Sequence, residues 1–182
     1  EVFITAWDGL VVQGGLTSGR WALVHAVASG VGTAAIQICR SIGSHIIGTC
    51  SSTKVDHVRS LGADVVVDYT KNDFVEQVRL ATDGRGVDVV LDPVGGDYLD
   101  RNVASLAVKG KIVQIGMMAG AGTFNLGALL PKRASLIGSV LRARPLEEKV
   151  TISRRFAAEI LPLFDSGTMK PIIDKRFTLA EI

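Results

Sequence analysis

Residues 25–33 read His25-Ala26-Val27-Ala28-Ser29-Gly30-Val31-Gly32-Thr33, between an apolar run at 21–25 and a helical pattern that follows. A turn of small residues from a strand into a helix lets the backbone approach an anion closely. The free amides and dipole of the helix start then stabilise negative charge. The strict G-x-G-x-x-G pattern is not kept: Val27 and Ser29 take the first two glycine places, and only Gly32 keeps the third. Such turns also serve flavodoxin-like and methyltransferase folds, so the meaning of this one depends on its surroundings.

On either side of this turn, apolar and largely β-branched runs stand at 21–25, 45–49, 65–67, 87–91, 112–115 and 136–140. Their near-continuous apolarity suits parallel strands covered on both faces. Between the first two, Ala35, Ile38, Cys39 and Ile42 recur at helical spacing and stop at Gly43. Another stripe follows Pro145, formed by Ile152, Phe156, Ile160 and Leu163. Strands alternating with helices predict a doubly wound parallel sheet, a three-layer α/β/α Rossmann fold filling residues 1–182 as one domain.

Composition narrows the function. The chain has 182 residues, 47% of them hydrophobic, with 20 Lys and Arg interleaved among 18 Asp and Glu for a net charge of +2. This balance offers no electrostatic footprint for nucleic acid or an anionic membrane. No apolar run approaches the roughly 20 residues of a membrane span. Cys39 and Cys50, on a core helix and a strand end, argue against a disulfide framework and for a reducing, cytoplasmic setting. Both ends of the sequence read as cut: it opens in the apolar segment 2–7, and it closes on Thr178 and Glu181 at capping-box spacing, which predicts a helix running on.

A second decisive position lies about 20 residues past the turn, where an NAD-binding fold carries an acid for the ribose hydroxyls. Here the stretch is Thr49-Cys50-Ser51-Ser52-Thr53-Lys54, with hydroxyls and a lysine but no acid. A carboxylate would repel a 2′-phosphate, whereas serine and lysine can donate to it. Ser52 or Thr53 as a helix cap and Lys54 as a solvated surface charge is the other reading of these residues.

Together these residues resemble a known family. The stretch 21–40, the motifs Leu61-Gly62-Ala63-Asp64, Asp92-Pro93-Val94-Gly95-Gly96 and Ile115-Gly116-Met117-Met118 look like zinc-independent quinone oxidoreductases of the medium-chain dehydrogenase/reductase superfamily. Ser139-Val140-Leu141-Arg142-Ala143-Arg144 narrows the likeness toward the p53-inducible quinone oxidoreductase branch. The resemblance spans nearly the whole chain and implies NADPH as cofactor and a quinone-like small molecule as acceptor. It also implies an N-terminal GroES-like catalytic domain and a C-terminal return segment outside this sequence. By the same resemblance Gly30 and Val31 would meet the pyrophosphate, and Ser51, Lys54 and Tyr69 the 2′-phosphate. Val94, Ile115, Gly116 and Met117 would line the ribose and nicotinamide, with Leu141 and Thr5 at the nicotinamide side. One departure stands out, since the family carries one more residue between the second strand and the lysine.

Two further readings stay open: a 2-enoyl or double-bond reductase, and a zinc-dependent alcohol dehydrogenase of the same superfamily. In the zinc enzymes a cysteine ligand precedes the residue matching Thr5 by four places, where this chain has Glu1. Neither cysteine has a partner at ligand spacing, so no metal ligands are assigned. A catalytically silent NADPH-binding protein is the alternative from another class. No side chain is singled out as catalytic, and the domain alone is expected to bind nucleotide without turnover. His25 reads as a packed strand-end residue, and Lys132, Arg133, Arg142 and Arg144 as solvated surface, with Arg142 near the cofactor cleft. The run 136–140, apolar and free of charge or proline, predicts a homodimer through an edge strand.

Overall fold

The computed structural model of the chain describes residues 1–181. Six strands alternate with helices: α1 (Val2–Trp7), β1 (Trp21–Val24), α2 (Gly30–Ile42), β2 (His45–Cys50), α3 (Val55–Ser60), β3 (Val65–Asp68), α4 (Phe74–Ala81), β4 (Val87–Asp92), α5 (Tyr98–Ser105), β5 (Leu106–Gln114), α6 (Leu129–Lys132), β6 (Ser135–Gly138) and α7 (Leu146–Asp165). All neighbouring strands run parallel in the order β3-β2-β1-β4-β5-β6. The expected doubly wound sheet is what forms.

The apolarity of the strands has a direct use. Ala22, Val24, Ile46, Val89, Leu91 and Val113 face one layer, built from α1, α2, α3 and α7. Leu23, Ile47, Val67, Val90 and Ile112 face the other, with Phe74 and Val78 of α4 and Val103 of α5. Alternate residues of one strand therefore serve two cores, and neither set can be polar. After β3 the chain crosses to the far side of β1, so the connections that follow β1 and β4 leave toward opposite faces of the sheet while the strands themselves stay paired to their carboxyl ends. That switch point opens a crevice.

Segment 2–7, apolar in sequence, is helical, and the helix widens to π geometry at Asp8–Gln13. Gly9 and Gly14 permit this stretch to lie on β4: a Cβ at Gly9 would stand 2.5 Å from Leu91 Cδ1, and one at Gly14 2.7 Å from Val89 Cγ1. Strand β5 begins at Leu106, well before 112, because the pairing with β4 shifts register between Val87 and Val89. Strand β6 ends at Gly138, short of Val140, although the Ser139 amide still donates to the Gln114 carbonyl at 2.9 Å.

The cysteines and helix ends follow the sequence reading. Helix α2 stops at Gly43, which takes the left-handed conformation with φ of 71°. Cys39 and Cys50 are free and buried, and desolvation pushes the Cys39 thiol up to about 12. At the chain's end Glu181 accepts from the Thr178 amide at 2.7 Å, the capping contact its spacing implied; Ile182 lies outside the described residues. No described helix is long and apolar enough to cross a membrane.

Candidate functional site

The turn after β1 has a specific construction. The Ser29 hydroxyl caps α2 by accepting from the Gly32 amide at 3.2 Å, and the Ser29 carbonyl accepts from Thr33 at 2.8 Å. The amides of Gly30 and Val31 are left with no partner among the described residues. They open a helix of 13 residues at the carboxyl edge of the sheet, so two donors and a helix dipole meet at the crevice. The glycine pattern departs from the strict form for a packing reason. Val27 is fully buried against β2, where a Cβ on Gly48 would come within 2.6 Å of its Cγ1. A Cβ on Gly32 would overlap the Val27 backbone. The close approach thus rests on Gly32 and Gly48.

Two clefts flank this turn. One, of about 370 Å³, has apolar walls from Val2, Val31, Pro93, Ile115, Val140 and Leu141, with Thr5, Asp8, Ser139 and Arg142 among its polar groups. The other, of about 290 Å³, is lined by Ala26, Thr49, Tyr69, Val94, Tyr98, Met118 and Ala119. Thr5, Val31, Ile115 and Leu141, far apart in sequence, are brought together in the first; Tyr69 and Val94 meet in the second. The Thr5 hydroxyl already donates to the Glu1 carbonyl at 3.1 Å. Gly116 lets the chain turn past β4, since a Cβ there would stand 2.9 Å from the Pro93 carbonyl oxygen. Met117 borders neither cleft; its sulfur lies over Gly95, whose φ is 67°, and the neighbouring Met118 takes the place at the second cleft.

Ser51 precedes a short 3-10 turn, Ser52–Lys54, which leads into α3; its side chain makes no capping bond, and its carbonyl accepts from the Lys54 amide at 2.9 Å. Lys54 ends that turn exposed and without an ion pair among the described residues. Ser52 is engaged elsewhere: it donates to Asp68 at 2.5 Å and lies 3.2 Å from the Thr70 hydroxyl. The bonds from Ser52 and Thr70 hold the Asp68 carboxyl down at about 2, so an acid ending β3 stands beside the hydroxyl cluster. The sequence reading did not single it out.

A buried polar network beneath the clefts was also missed. Asn102 donates through Nδ2 to Asp92 at 2.8 Å, which leaves its Oδ1 for His25 Nε2 at 2.7 Å. His25 Nδ1 faces the Thr49 hydroxyl at 3.0 Å. Asp92 also accepts from the amides of Val94 and Gly95, at 2.6 and 3.1 Å. His25, Thr49, Asp92 and Asn102 are each almost wholly buried, and burial lowers the His25 pKa. His25 is a packed residue, as read, and it braces loop 93–96. The signal was available: polar residues ending apolar strands β1, β2 and β4 need partners.

Two basic residues read as solvated are not. Arg144 makes a bidentate pair with the buried Asp8, at 2.6 and 3.2 Å, because Asp8 sits where the π-helical stretch turns toward segment 139–144. Lys132 folds back to donate to the carbonyls of Ala104 and Leu106, and burial lowers its pKa. Arg133 and Arg142 are exposed.

The sequence profile of the zinc-binding dehydrogenase family matches residues 30–157. The chain belongs to the zinc-binding dehydrogenase family. It is a medium-chain dehydrogenase/reductase nucleotide-binding fold. Among the described residues, no group of three or more His, Cys, Asp or Glu stands together as metal ligands would. The chain is 32% identical to the synaptic vesicle membrane protein VAT-1 homolog of Rattus norvegicus over 94% of its own length and 46% of that protein's. It therefore spans about half of that relative. The nucleotide-binding subdomain of the enoylreductase domain of PpsC from Mycobacterium tuberculosis superposes with a TM-score of 0.81 at 32% identity, covering 94% of this chain and 96% of that one. Escherichia coli quinone oxidoreductase complexed with NADPH gives 0.81 at 30% identity, covering 94% of this chain and 53% of that one.

Proposed function

We propose that this chain binds NADPH and presents it to a quinone or a related electron-poor carbonyl acceptor. The observation that carries the reading is the pair of unpartnered amides, Gly30 and Val31, opening α2 between two clefts at the switch point. Those amides would hold the pyrophosphate, and Gly32 and Gly48 leave the room for it. Thr5, Val31, Ile115 and Leu141 would enclose the nicotinamide, with Gly116 shaping the turn beside them. Tyr69 and Val94 would take the adenosine side. Ser51 and Lys54 would meet the 2′-phosphate, where no carboxylate follows β2 to oppose it. Met117 would contribute through its packing on Gly95.

Bound NADPH would supply reducing equivalents from nicotinamide C4; this chain's residues bind and orient it and exclude water from one face. A second reading, reduction of an enoyl double bond, is favoured by the PpsC subdomain, which superposes as well as the quinone oxidoreductase does. The parent protein would carry a GroES-like domain that completes the acceptor pocket, so the chain alone should bind without turnover. The reading is of a zinc-independent enzyme, with Glu1 where the zinc relatives place a cysteine. Buried free thiols suit the reducing cytoplasm. The edge position of β6, with Leu136 and Val140 exposed, supports a homodimer.

The deciding experiment is calorimetric titration of the chain with NADPH and NADH, joined to steady-state assays of the full-length parent with quinone and enoyl acceptors. Binding of NADPH with quinone turnover is expected. No binding of either nucleotide would overturn the reading, and enoyl turnover alone would select the second.

A further inference from the structure

Asp8 and Arg144 are 136 residues apart in sequence, yet they join the two walls of the larger cleft. One wall is α1, fixed by its buried Phe3, Ala6 and Trp7, and it presents Val2 and Thr5. The opposite wall is segment 139–142, whose packing is thin: Val140 is 60% exposed. Polar contacts hold this wall. The Asp8 carboxylate accepts from both terminal nitrogens of Arg144 and from the Ser139 hydroxyl at 3.2 Å, while Arg144 Nη2 also donates to Ser139 at 3.0 Å. A guanidinium held by two parallel bonds fixes orientation as well as distance.

Burying such a pair contributes little net stability, because desolvation offsets the attraction. Its geometric role carries more weight. Asp8 stands where the α-helix widens to π geometry, a local irregularity common at functional sites. We propose that Asp8 and Arg144 form a positioning couple that sets the spacing between α1 and segment 139–142. Through that spacing they set the fit of the nicotinamide half of the cofactor, the second step resting on the NADPH reading above. Neither residue is catalytic. Each acts through Ser139, Val140 and Leu141.

The test uses Arg144→Lys, which keeps the charge and loses the fork, Asp8→Asn, and the double variant Asp8→Asn/Arg144→Met, which leaves no orphaned buried charge. Hydrogen exchange of amides 139–144 is measured without nucleotide, and affinities are measured for NADPH and for 2′,5′-ADP, which lacks the nicotinamide half. The expected result is faster exchange in 139–144 and NADPH affinity lowered on the order of tenfold, with 2′,5′-ADP within about twofold, in all three. Equal losses for both ligands, or no change in either, would overturn the proposal, as would wild-type behaviour of the double variant. If the wild type binds neither ligand, the function reading fails; unchanged exchange in the variants then refutes the couple separately, and faster exchange supports its hold on the wall.

Discussion

His25 Nε2 and Asn102 Oδ1 lie 2.7 Å apart, and because Asn102 gives its Nδ2 to Asp92, the imidazole must be the donor. His25 Nδ1 is then free to accept from the Thr49 hydroxyl. One tautomer satisfies β1, β2, β4 and α5 together. Replacing His25 with Phe would keep the ring packed against Phe74 and Tyr98 but leave the Asn102 Oδ1 and the Thr49 hydroxyl unpartnered. The expected loss is about 2–3 kcal/mol of unfolding free energy, read by urea denaturation. A variant as stable as the wild type would mean that the network is not intact in solution.

The same histidine sets a pH dependence. Burial lowers its pKa from the ordinary value, and the opposing influence of Asp92 and the Asn102 bond is weaker. The unfolded chain binds the proton at about pH 6.5 and the folded chain only below that. Its contribution to stability is therefore complete above about pH 6.5 and declines as the pH falls toward the lowered folded value. Melting temperatures from pH 7.5 down to 5 should fall in the wild type and fall less in His25→Gln. Parallel curves would remove His25 as the cause.

Gly32 and Gly48 make the turn after β1 compact, and they should tolerate no side chain. Alanine at either would push against Val27, its backbone in one case and its methyl groups in the other. Each variant should lose about 1–3 kcal/mol. Gly32→Ala should weaken nucleotide binding more than Gly48→Ala, since it also displaces the start of α2. Thermal unfolding and a nucleotide titration of each would check the order.

Much of this was legible beforehand. Strands β1, β2 and β4 announce themselves because residues such as Ala22 and Leu23 serve opposite cores, and the turn at 25–33 is set between two of them. The start of β5 was not, because Lys109 takes a φ of 65° and the ladder shifts beside Val87, which breaks any simple period. At the site, Thr5, Ile115 and Leu141 share the first cleft with Val31, which the resemblance set at the pyrophosphate; Val94 stands apart from Ile115, beside Tyr69 in the second cleft, Met117 packs on Gly95, and Met118 faces the second cleft. Arg144 looked solvated for a physical reason: no local pattern reveals a partner as distant as Asp8.

The edge of the sheet invites a partner. Strand β6 has β5 on one side only, and Leu136 is 39% exposed. A second copy pairing there would extend the sheet across a two-fold axis. Sedimentation at tens of micromolar, about the range of an ordinary dimer, should show a dimer for the wild type and a monomer for Leu136→Lys. A monomeric wild type would count against the edge pairing.

Cys50, Ser51, Ser52, Thr53 and Lys54 follow β2 with no acid among them, and Lys54 is exposed and unpaired among the described residues. Asp68 stands close by, ionised well into acid, with its charge met by Ser52, Thr70 and Lys71. Those contacts leave Lys54 as the unengaged cation for a 2′-phosphate, with Ser51 and the Tyr69 hydroxyl as further donors. NADPH should therefore bind more tightly than NADH by about 2 kcal/mol, the scale of one or two charge-assisted bonds. The missing residue between β2 and the lysine works the other way: if Lys54 points into solvent when nucleotide is bound, screening leaves only a small preference. Calorimetry of both cofactors on the wild type and Lys54→Ala, at low and moderate salt, separates the two. The preference should shrink in the variant and weaken with salt, and equal affinities in the wild type would refute it.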